Sequence, residues 1–498
     1  MKIRTRFAPS PTGYLHIGGA RTALFSYLYA KHFGGEFLLR IEDTDRTRYV
    51  EDAVDDIIRS LKWLGIQYDG QVEYQSKRLP LYQQVAQKLL DEGKAYRCFC
   101  SPARLERIRN IRVQNKLPSG YDRKCRDLTK EEIDENLRNG VPYVIRLKVP
   151  LEGKTYCHDM IRGDIEFDNS VLEDVVLLKS DGFPTYHLAH VVDDHDMEIT
   201  HVTRGEEWIS SFPFHVILFD YMGYDLPKYA HLPVILSQDG GKLSKRHGAT
   251  SVKEFIEAGY IPEAMINFLA MLGWSYDDKQ EIFTKEELIK YFDLEKVSKA
   301  SAVFSYEKLN WYNGYYLRNK TDEEYFNLSL PFFIKAGYVK SIDKNLKIDL
   351  SETFDYKGKI SKEDEDYIRK IIPNIKERIE VLSQIESYCD FFYKDPEKYN
   401  VDDFIDKKRD INANINILTL VYEALEKNDD FSLNSLENIL RELSEKNNIK
   451  TKDLFMPIRV AITGRKYSPG LFETIEIIGK EVTLRRIKNS IEFLKKML

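Results

Sequence analysis

Two glycine-bracketed loops and one cysteine group carry the residues of this chain most able to do chemistry. The first loop is Gly13-Tyr14-Leu15-His16-Ile17-Gly18-Gly19, near the start of the sequence. Glycines let a backbone approach a phosphate closely, and the start of a helix offers free N–H groups and positive potential. The spacing comes near a Walker A loop, but Gly19-Ala20 stands where Lys-Ser/Thr is required, and the GxGxxG fingerprint is absent as well. The reading is a nucleotide loop of another kind, with His16 as its donor. The second loop is Gln238-Asp239-Gly240-Gly241-Lys242-Leu243-Ser244-Lys245-Arg246-His247-Gly248. Its cationic cluster between glycines suits a mobile loop that clamps a triphosphate. The third group is Cys98-x-Cys100 with Cys125, three of the five cysteines in the chain. So few cysteines make no disulfide scaffold, and in a reducing compartment such a cluster points to metal.

These residues need elements to hold them. Ile3 to Phe7 reads as a short strand, and the turn residues from Ala8 to Gly13 cannot be helical. From Gly18 onward Ala20, Ala23, Leu24, Tyr27 and Leu28 share one helix face. Gly34-Gly35 ends that helix, and Glu36 to Ile41 is a second strand. Strand, crossover helix and strand predict a parallel sheet of doubly wound type, an α/β fold. From Tyr96 to about Thr185 the texture changes to cysteines, basic residues and strand-like pieces such as Tyr143–Val149, which reads as an insertion. The α/β pattern returns with Val175 to Leu178, a helix through His187 to Val192, a strand near Thr200 to Thr203, a helix from Trp208 and a strand at Leu232 to Leu236. From about Asn310 the chain reads as helical to its end. Leu471, Ile475 and Ile478 make one apolar stripe there, and Leu484, Ile487, Ile491 and Leu494 another.

At 498 residues the chain is too long for one hydrophobic core. Its 43% hydrophobic and 31% charged content is that of a soluble globular protein. No apolar run reaches the ~18 residues of a membrane span, and the basic N-terminal residues give no secretory signal, so the expectation is cytoplasmic. The net charge of -6 does not advertise a nucleic-acid partner, but a polyanion feels local field rather than average charge. Arg104, Arg107, Arg109, Arg112, Lys116, Arg123, Lys124 and Arg126 form one basic stretch. Arg485, Arg486, Lys488, Lys495 and Lys496 form another. Either stretch alone is most simply a solvated face.

Taken together and in order, the two loops resemble the HIGH and KMSKS signatures of class I aminoacyl-tRNA synthetases, with Gly19 in place of the second histidine. The likeness sharpens further along the chain. Arg6 to Arg21, Arg40-Ile41-Glu42-Asp43-Thr44-Asp45, Pro184 to Ala189, Val191 to His195, Arg204 to Trp208 and Ser468 to Glu473 are similar to segments of glutamyl-tRNA synthetases, over essentially the whole chain. The resemblance implies ligation of L-glutamate to tRNA-Glu through glutamyl-AMP, with Mg²⁺ accompanying ATP and tRNA bound before activation. His16, Lys242 and Lys245 are then the catalytic residues. Gly18, Gly19, Trp208, Lys242, Ser244 and Lys245 would meet ATP. Arg6, Ala8, Ser10, Glu42, Tyr186, His190, Arg204 and Glu207 would form the glutamate pocket, where arginine suits a carboxylate and Glu42 an ammonium. The implied architecture is a split Rossmann-like catalytic domain over 1–95 and 185–240 and an inserted acceptor-binding domain over 96–184. A stem-contact region over 241–315 and a helical anticodon-binding half over 316–498, divisible near residue 375, complete it. A monomer is expected, and charging of tRNA-Gln as well is left open.

The cysteine group looks like the structural zinc element of the inserted domain, with Cys98, Cys100 and Cys125 as ligands. Asp127 stands where many relatives carry a histidine, and Tyr121 is the alternative fourth donor. His187, His190, Asp193, Asp194 and His195 could be mistaken for a catalytic metal site but lack a motif such as His-Glu-x-x-His. Three rivals share much of the pattern, one of them a short paralogue that glutamylates a modified base and lacks the anticodon half that this chain has. A glutaminyl-tRNA synthetase usually ends in a β-rich half, unlike this helical tail, and a non-catalytic tRNA-binding relative would not need His16, Lys242 and Lys245.

Overall fold

The computed structural model describes residues 2–45, 47–116, 120–342, 348–352, 358–405 and 409–498, and the side chain of Lys245 lies outside what it describes. The fold divides into two compact units, one of Met1–Phe255 with Pro262–Tyr306, the other of Ile256–Ile261 with Glu307–Leu498.

The first unit is built on parallel strands. β1 (Arg4–Phe7) leads through α1 (Ile17–His32) to β2 (Glu36–Ile41), which it pairs in parallel. α1 is buried almost all round, as expected of a helix covered on more than one side. Lys31 and His32 close it with positive charge where the helix dipole is negative. After α2 (Ala53–Trp63), β3 (Glu73–Tyr74) pairs with the end of β2, and α3 (Leu79–Asp91) follows.

The segment expected as an insertion opens with β4 (Ala95–Cys98), α4 (Pro102–Gln114), α5 (Lys130–Arg138) and β5 (Val144–Leu147). Next come β6 (Lys154–Asp159), β7 (Gly163–Asp168) and β8 (Val176–Leu178). β4, β5 and β8 form a small antiparallel sheet. Val175–Leu178 therefore belongs to the antiparallel sheet, not to a resumed parallel one. A short apolar run carries no periodicity that tells the two apart.

The parallel pattern resumes with α6 (Tyr186–Asp196), β9 (His201–Gly205), α7 (Phe212–Met222) and β10 (Lys228–Leu232). α7 starts with Pro213 in its first turn and stops at Gly223, whose φ of 67° supplies the left-handed cap. Strand order in the larger sheet is β7-β6-β10-β9. The β6–β7 hairpin thus extends the main sheet: Tyr229 of β10 pairs with Asp159, and Met160 N donates to Tyr229 O at 2.8 Å. One core also crosses the expected boundary, with Tyr82, Leu147, Leu177, Leu188 and Leu218 packed together from α3, β5, β8, α6 and α7. Part of the segment over 96–184 therefore shares a core with the elements on either side of it.

β1 lies beside the start of β9, where Thr200 N donates to Arg4 O at 2.9 Å and Arg4 N donates to Thr200 Oγ1 at 2.8 Å. Strand order runs outward in both directions from this line, and ligands bind beyond the carboxyl ends of strands at such a switch point.

The second unit is helical. Its longest stretches are Asp322–Lys335, Lys362–Ile375, Ile411–Glu426, Leu433–Lys446, Thr451–Thr463 and Leu471–Lys495. In the last, Gly479 leaves helical geometry at φ 77°, ψ 174°, between the two apolar stripes that the sequence suggests. Leu471, Ile475, Ile478, Ile487 and Leu494 of those stripes are buried. Among the described residues, no helix is long and apolar enough to cross a membrane.

Candidate active site

A cavity of about 340 Å³ opens at the switch point. Its floor comes from strand ends: Arg6 and Phe7 at the end of β1 with Ala8 and Ser10 after it, Glu42 after β2, and Thr203 to Gly205 on β9. One side is the start of α1 with His16, Gly18 and Gly19; the other is Tyr186, Glu207 and Trp208. Lys242 and Leu243 of the lysine loop close the rim.

The two loops distant in sequence meet here. Ile17 N donates to Thr250 O and Val252 N to Leu15 O, both at 2.9 Å, so the return of the lysine loop is bonded to the histidine loop. His16 caps α1: its Nδ1 accepts from Gly18 N at 3.1 Å, which places the ring proton on Nε2. The lysine loop turns on Ser237, whose N donates to Gly241 O at 2.8 Å, with Gly240 at φ 82°. Ser244 is half-buried and does not line the cavity; its N donates to His247 Nδ1 at 3.1 Å. Lys245 begins a short 3₁₀ turn, Lys245–His247, and its side chain falls outside the described residues.

Arg6 and Arg204 are almost fully buried. Arg6 Nε donates to Asp194 at 3.1 Å, and Asp194 also accepts from Arg40 at 2.6 Å. Arg40 in turn donates to Glu42 at 3.1 Å. Burial pushes the Glu42 carboxyl above its ordinary range, with Arg40 and Arg6 pulling it back. Arg204 donates to the Tyr186 hydroxyl at 2.9 Å and to the Trp208 carbonyl at 3.2 Å, as well as to two imidazoles. Tyr186 and Trp208 pack ring to ring at 4.4 Å, and Trp208 keeps 39% of its surface exposed as a flat shelf. Such a site can hold an amino acid by charge and a planar base by stacking.

His190 is fully buried and does not line the cavity. It lies behind Tyr186, with Nε2 2.8 Å from the Tyr229 hydroxyl and Nδ1 3.4 Å from Arg6 Nη2. Among the described residues, its neighbours on α6 form no group placed to hold a metal. Asp193 takes hydrogen bonds from Gln75, Arg78 and Tyr82, and Asp194 is committed to Arg6 and Arg40.

The three thiols of Cys98, Cys100 and Cys125 lie within 4.8 Å of one another and could coordinate a metal ion. Such spacing suits a tetrahedron of ~2.3 Å Zn–S bonds, whose edge is about 3.8 Å. Asp127, the expected fourth ligand, is exposed and is not one of the three residues of this group. The Tyr121 hydroxyl is instead 3.3 Å from Cys98 Sγ and 3.4 Å from Cys100 Sγ. The basic stretches also divide. Arg126 is paired with Asp174 at 2.9 Å, Arg104 with Asp122 at 2.6 Å, and Arg486 is 2% exposed with its donors on backbone carbonyls and Asp395. Arg107 and Arg109 stay exposed on α4.

Residues 2–311 match the family model described as tRNA synthetases class I (E and Q), catalytic domain, and residues 333–491 match the anticodon binding domain. The glutamate–tRNA ligase of Borreliella afzelii is 46% identical over 504 residues, covering 99% of both chains. That of Dehalococcoides mccartyi is also 46% identical over 504 residues, covering 100% of this chain and 99% of its own. The chain belongs to the glutamate–tRNA ligases of the class I aminoacyl-tRNA synthetases. A crystal structure of a glutamate–tRNA ligase from Elizabethkingia meningosepticum in complex with its amino acid matches with a TM-score of 0.84. It is 37% identical and covers 99% of this chain and 100% of that one.

Within this ligase the sequence reading passed over several residues. Arg21 lines the pocket although almost fully buried, and burial lowers its pKa to about 10 against the pull of Glu207 and Glu206. It sits in the Gly18-Gly19-Ala20-Arg21 segment, one α1 turn from the glycines, which was the available signal. His215 of α7 and His231 of β10 hold Arg204, Asp159 of β6 holds His231, and nothing in their spacing announces it.

Proposed function

We propose that this ligase activates L-glutamate with ATP in the switch-point cavity and transfers it to the 3′ end of tRNA-Glu. The observation that carries the reading is one cavity bordered by buried Arg6 and Arg204, by Glu42, and by the His16 and Lys242 loops. Arg204 and Arg6 meet the carboxylates of glutamate, Glu42 meets its ammonium, and Ala8 and Ser10 line the backbone side. His190 acts through Arg6 rather than by touching substrate. Trp208 takes the adenine, and Gly18, Gly19, His16, Lys242 and Lys245 take the phosphates of ATP, which enters with Mg²⁺, while Ser244 shapes the lysine loop through its bond to His247.

The carboxylate of glutamate is already ionised at neutral pH and needs no general base. It attacks the α-phosphorus in line as pyrophosphate leaves. His16, Lys242 and Lys245 stabilise the charge that grows on phosphoryl oxygens, an effect realised mainly in the transition state. The terminal ribose hydroxyl of tRNA then attacks the acyl carbon and AMP departs. Pyrophosphate exchange in the presence of tRNA-Glu tests this. Lys242→Ala is expected to lower kcat about 10²-fold. Arg204→Gln is expected to raise KM for glutamate with KM for ATP unchanged. Exchange supported equally well by glutamine would overturn the assignment. Charging of tRNA-Gln beside tRNA-Glu decides whether the second tRNA is also a substrate.

The thiol group is read as a structural zinc site of Cys98, Cys100 and Cys125 with Tyr121 as fourth donor, pinning the basic segment near the tRNA acceptor end. Zinc content after dialysis against a chelator checks it. Tyr121→Phe removes a direct donor and should lose metal at least about tenfold faster than the parent, the smallest loss that even a change outside the ligand set brings, and Asp127→Ala should not differ. Equal retention in both variants removes Tyr121 from the site.

A further inference from the structure

Arg204 differs from Arg6 and Arg40 in the chemistry of its partners. Arg6 and Arg40 are held by the Asp194 carboxylate. Arg204 is held by neutral groups: His231 at 2.8 Å, Tyr186 at 2.9 Å, His215 at 3.0 Å and the Trp208 carbonyl at 3.2 Å. A guanidinium can only donate. His231 Nε2 therefore presents its lone pair to Arg204 Nε, and the ring proton is on Nδ1, 2.7 Å from the Asp159 carboxylate. His215 Nδ1 presents a lone pair to Arg204 Nη1 in the same way, with its N–H on Nε2, 3.4 Å from His187 Nδ1. A protonated imidazole in either place would set N–H against N–H.

Asp159 is itself anchored. It accepts from the backbone N–H groups of Ile161, Arg162 and His231 at 2.9, 2.7 and 2.9 Å. It ends β6, the strand that the hairpin adds to the main sheet. His215 and His231 are both fully buried, and burial holds each below the ordinary histidine range. A carboxylate in place of either imidazole would hold the arginine equally well but would cancel its charge.

We infer that Asp159, His231 and His215 are positioning residues that aim the Arg204 guanidinium into the cavity with its charge uncompensated. The charge is then met by the side-chain carboxylate of the substrate, and an amide side chain is disfavoured. This rests on the reading of Arg204 as the partner of that carboxylate.

The test uses the full chain with tRNA-Glu, following pyrophosphate exchange against glutamate, glutamine and ATP, with thermal melts alongside. His231→Leu removes the acceptor; His231→Gln returns a carbonyl oxygen near the Nε2 position. In His231→Leu, KM for glutamate should rise about tenfold with KM for ATP unchanged, and the glutamate-over-glutamine ratio of kcat/KM should fall by a similar factor. His231→Gln should recover most of both. Asp159→Asn should shift KM for glutamate in the same direction, and it serves alone if the leucine variant does not fold. If Arg204→Gln raises KM for glutamate while His231→Leu and Asp159→Asn do not, the positioning inference fails and the pocket reading stands. If Arg204→Gln itself leaves that KM unchanged, the pocket reading fails. A His231→Gln variant that folds but is as impaired as His231→Leu reduces His231 to packing and overturns the inference.

Discussion

At the scale of single residues, the pocket works by partnering its charges unequally. Arg40 is fully buried between Asp193, Asp194 and Glu42, whereas Arg204 meets no carboxylate among the described residues. Glu42 sits between these regimes: burial raises its pKa, and Arg40 only partly offsets that. An ionised Glu42 is what a substrate ammonium requires. KM for glutamate should therefore fall as pH rises out of the ordinary carboxylate range and through the raised value. Glu42→Gln should show a high KM that no longer varies there. A wild-type profile that is flat across this range would remove Glu42 from ammonium binding.

At the scale of elements, neighbouring residues of like type can have unlike jobs. Arg485 and Arg486 stand together on the C-terminal helix, and both reach Asp395, at 3.0 and 2.8 Å. Arg485 keeps 46% of its side chain exposed, whereas Arg486 is 2% exposed and also donates to the carbonyls of Phe391, Ile462 and Lys394. Removing Arg486 strands buried acceptors, so Arg486→Ala should destabilise the helical unit by roughly 3 kcal/mol. Arg485→Ala should cost less than about 1 kcal/mol, the usual worth of an exposed pair. Urea unfolding of both variants measures the difference. A face read from the sequence as uniformly basic thus contains one interior strut, because helical phase and not residue type decides what is covered.

At the scale of the whole molecule, the first unit keeps several histidines neutral in its interior. Burial, helped by Arg204, lowers His187 to about 4, and burial helped by Lys228 lowers His201 to about 4. In the unfolded chain both titrate near about 6.5. Below that pH the unfolded state binds protons that the folded state refuses, so stability is complete above it and is lost progressively as pH falls to about 4. The urea midpoint of the full chain should fall across this window. A midpoint constant from neutrality down to pH 4 would show that these imidazoles are solvated after all.

The local chemistry was legible without coordinates. Glycine spacing, the helix that follows His16 and the strand at Glu36–Ile41 depend on neighbours within a few residues, and the structure has them in those places. The thiol spacing likewise announced a cluster. What depends on chain folding back was not legible. The β6–β7 hairpin joins the main sheet through β10, and a short strand carries no mark of its distant partner. His190 turns inward to Tyr229 while Tyr186, one helix turn earlier, lines the cavity, a choice made by packing on α6. Asp127 was the donor the sequence suggested first, with Tyr121 as the alternative; Asp127 is exposed, whereas the Tyr121 hydroxyl lies 3.3 Å from Cys98 Sγ. Residue type and spacing determined which chemistry was available; tertiary packing decided which groups face the substrate, because burial and partner geometry are properties of the assembled fold.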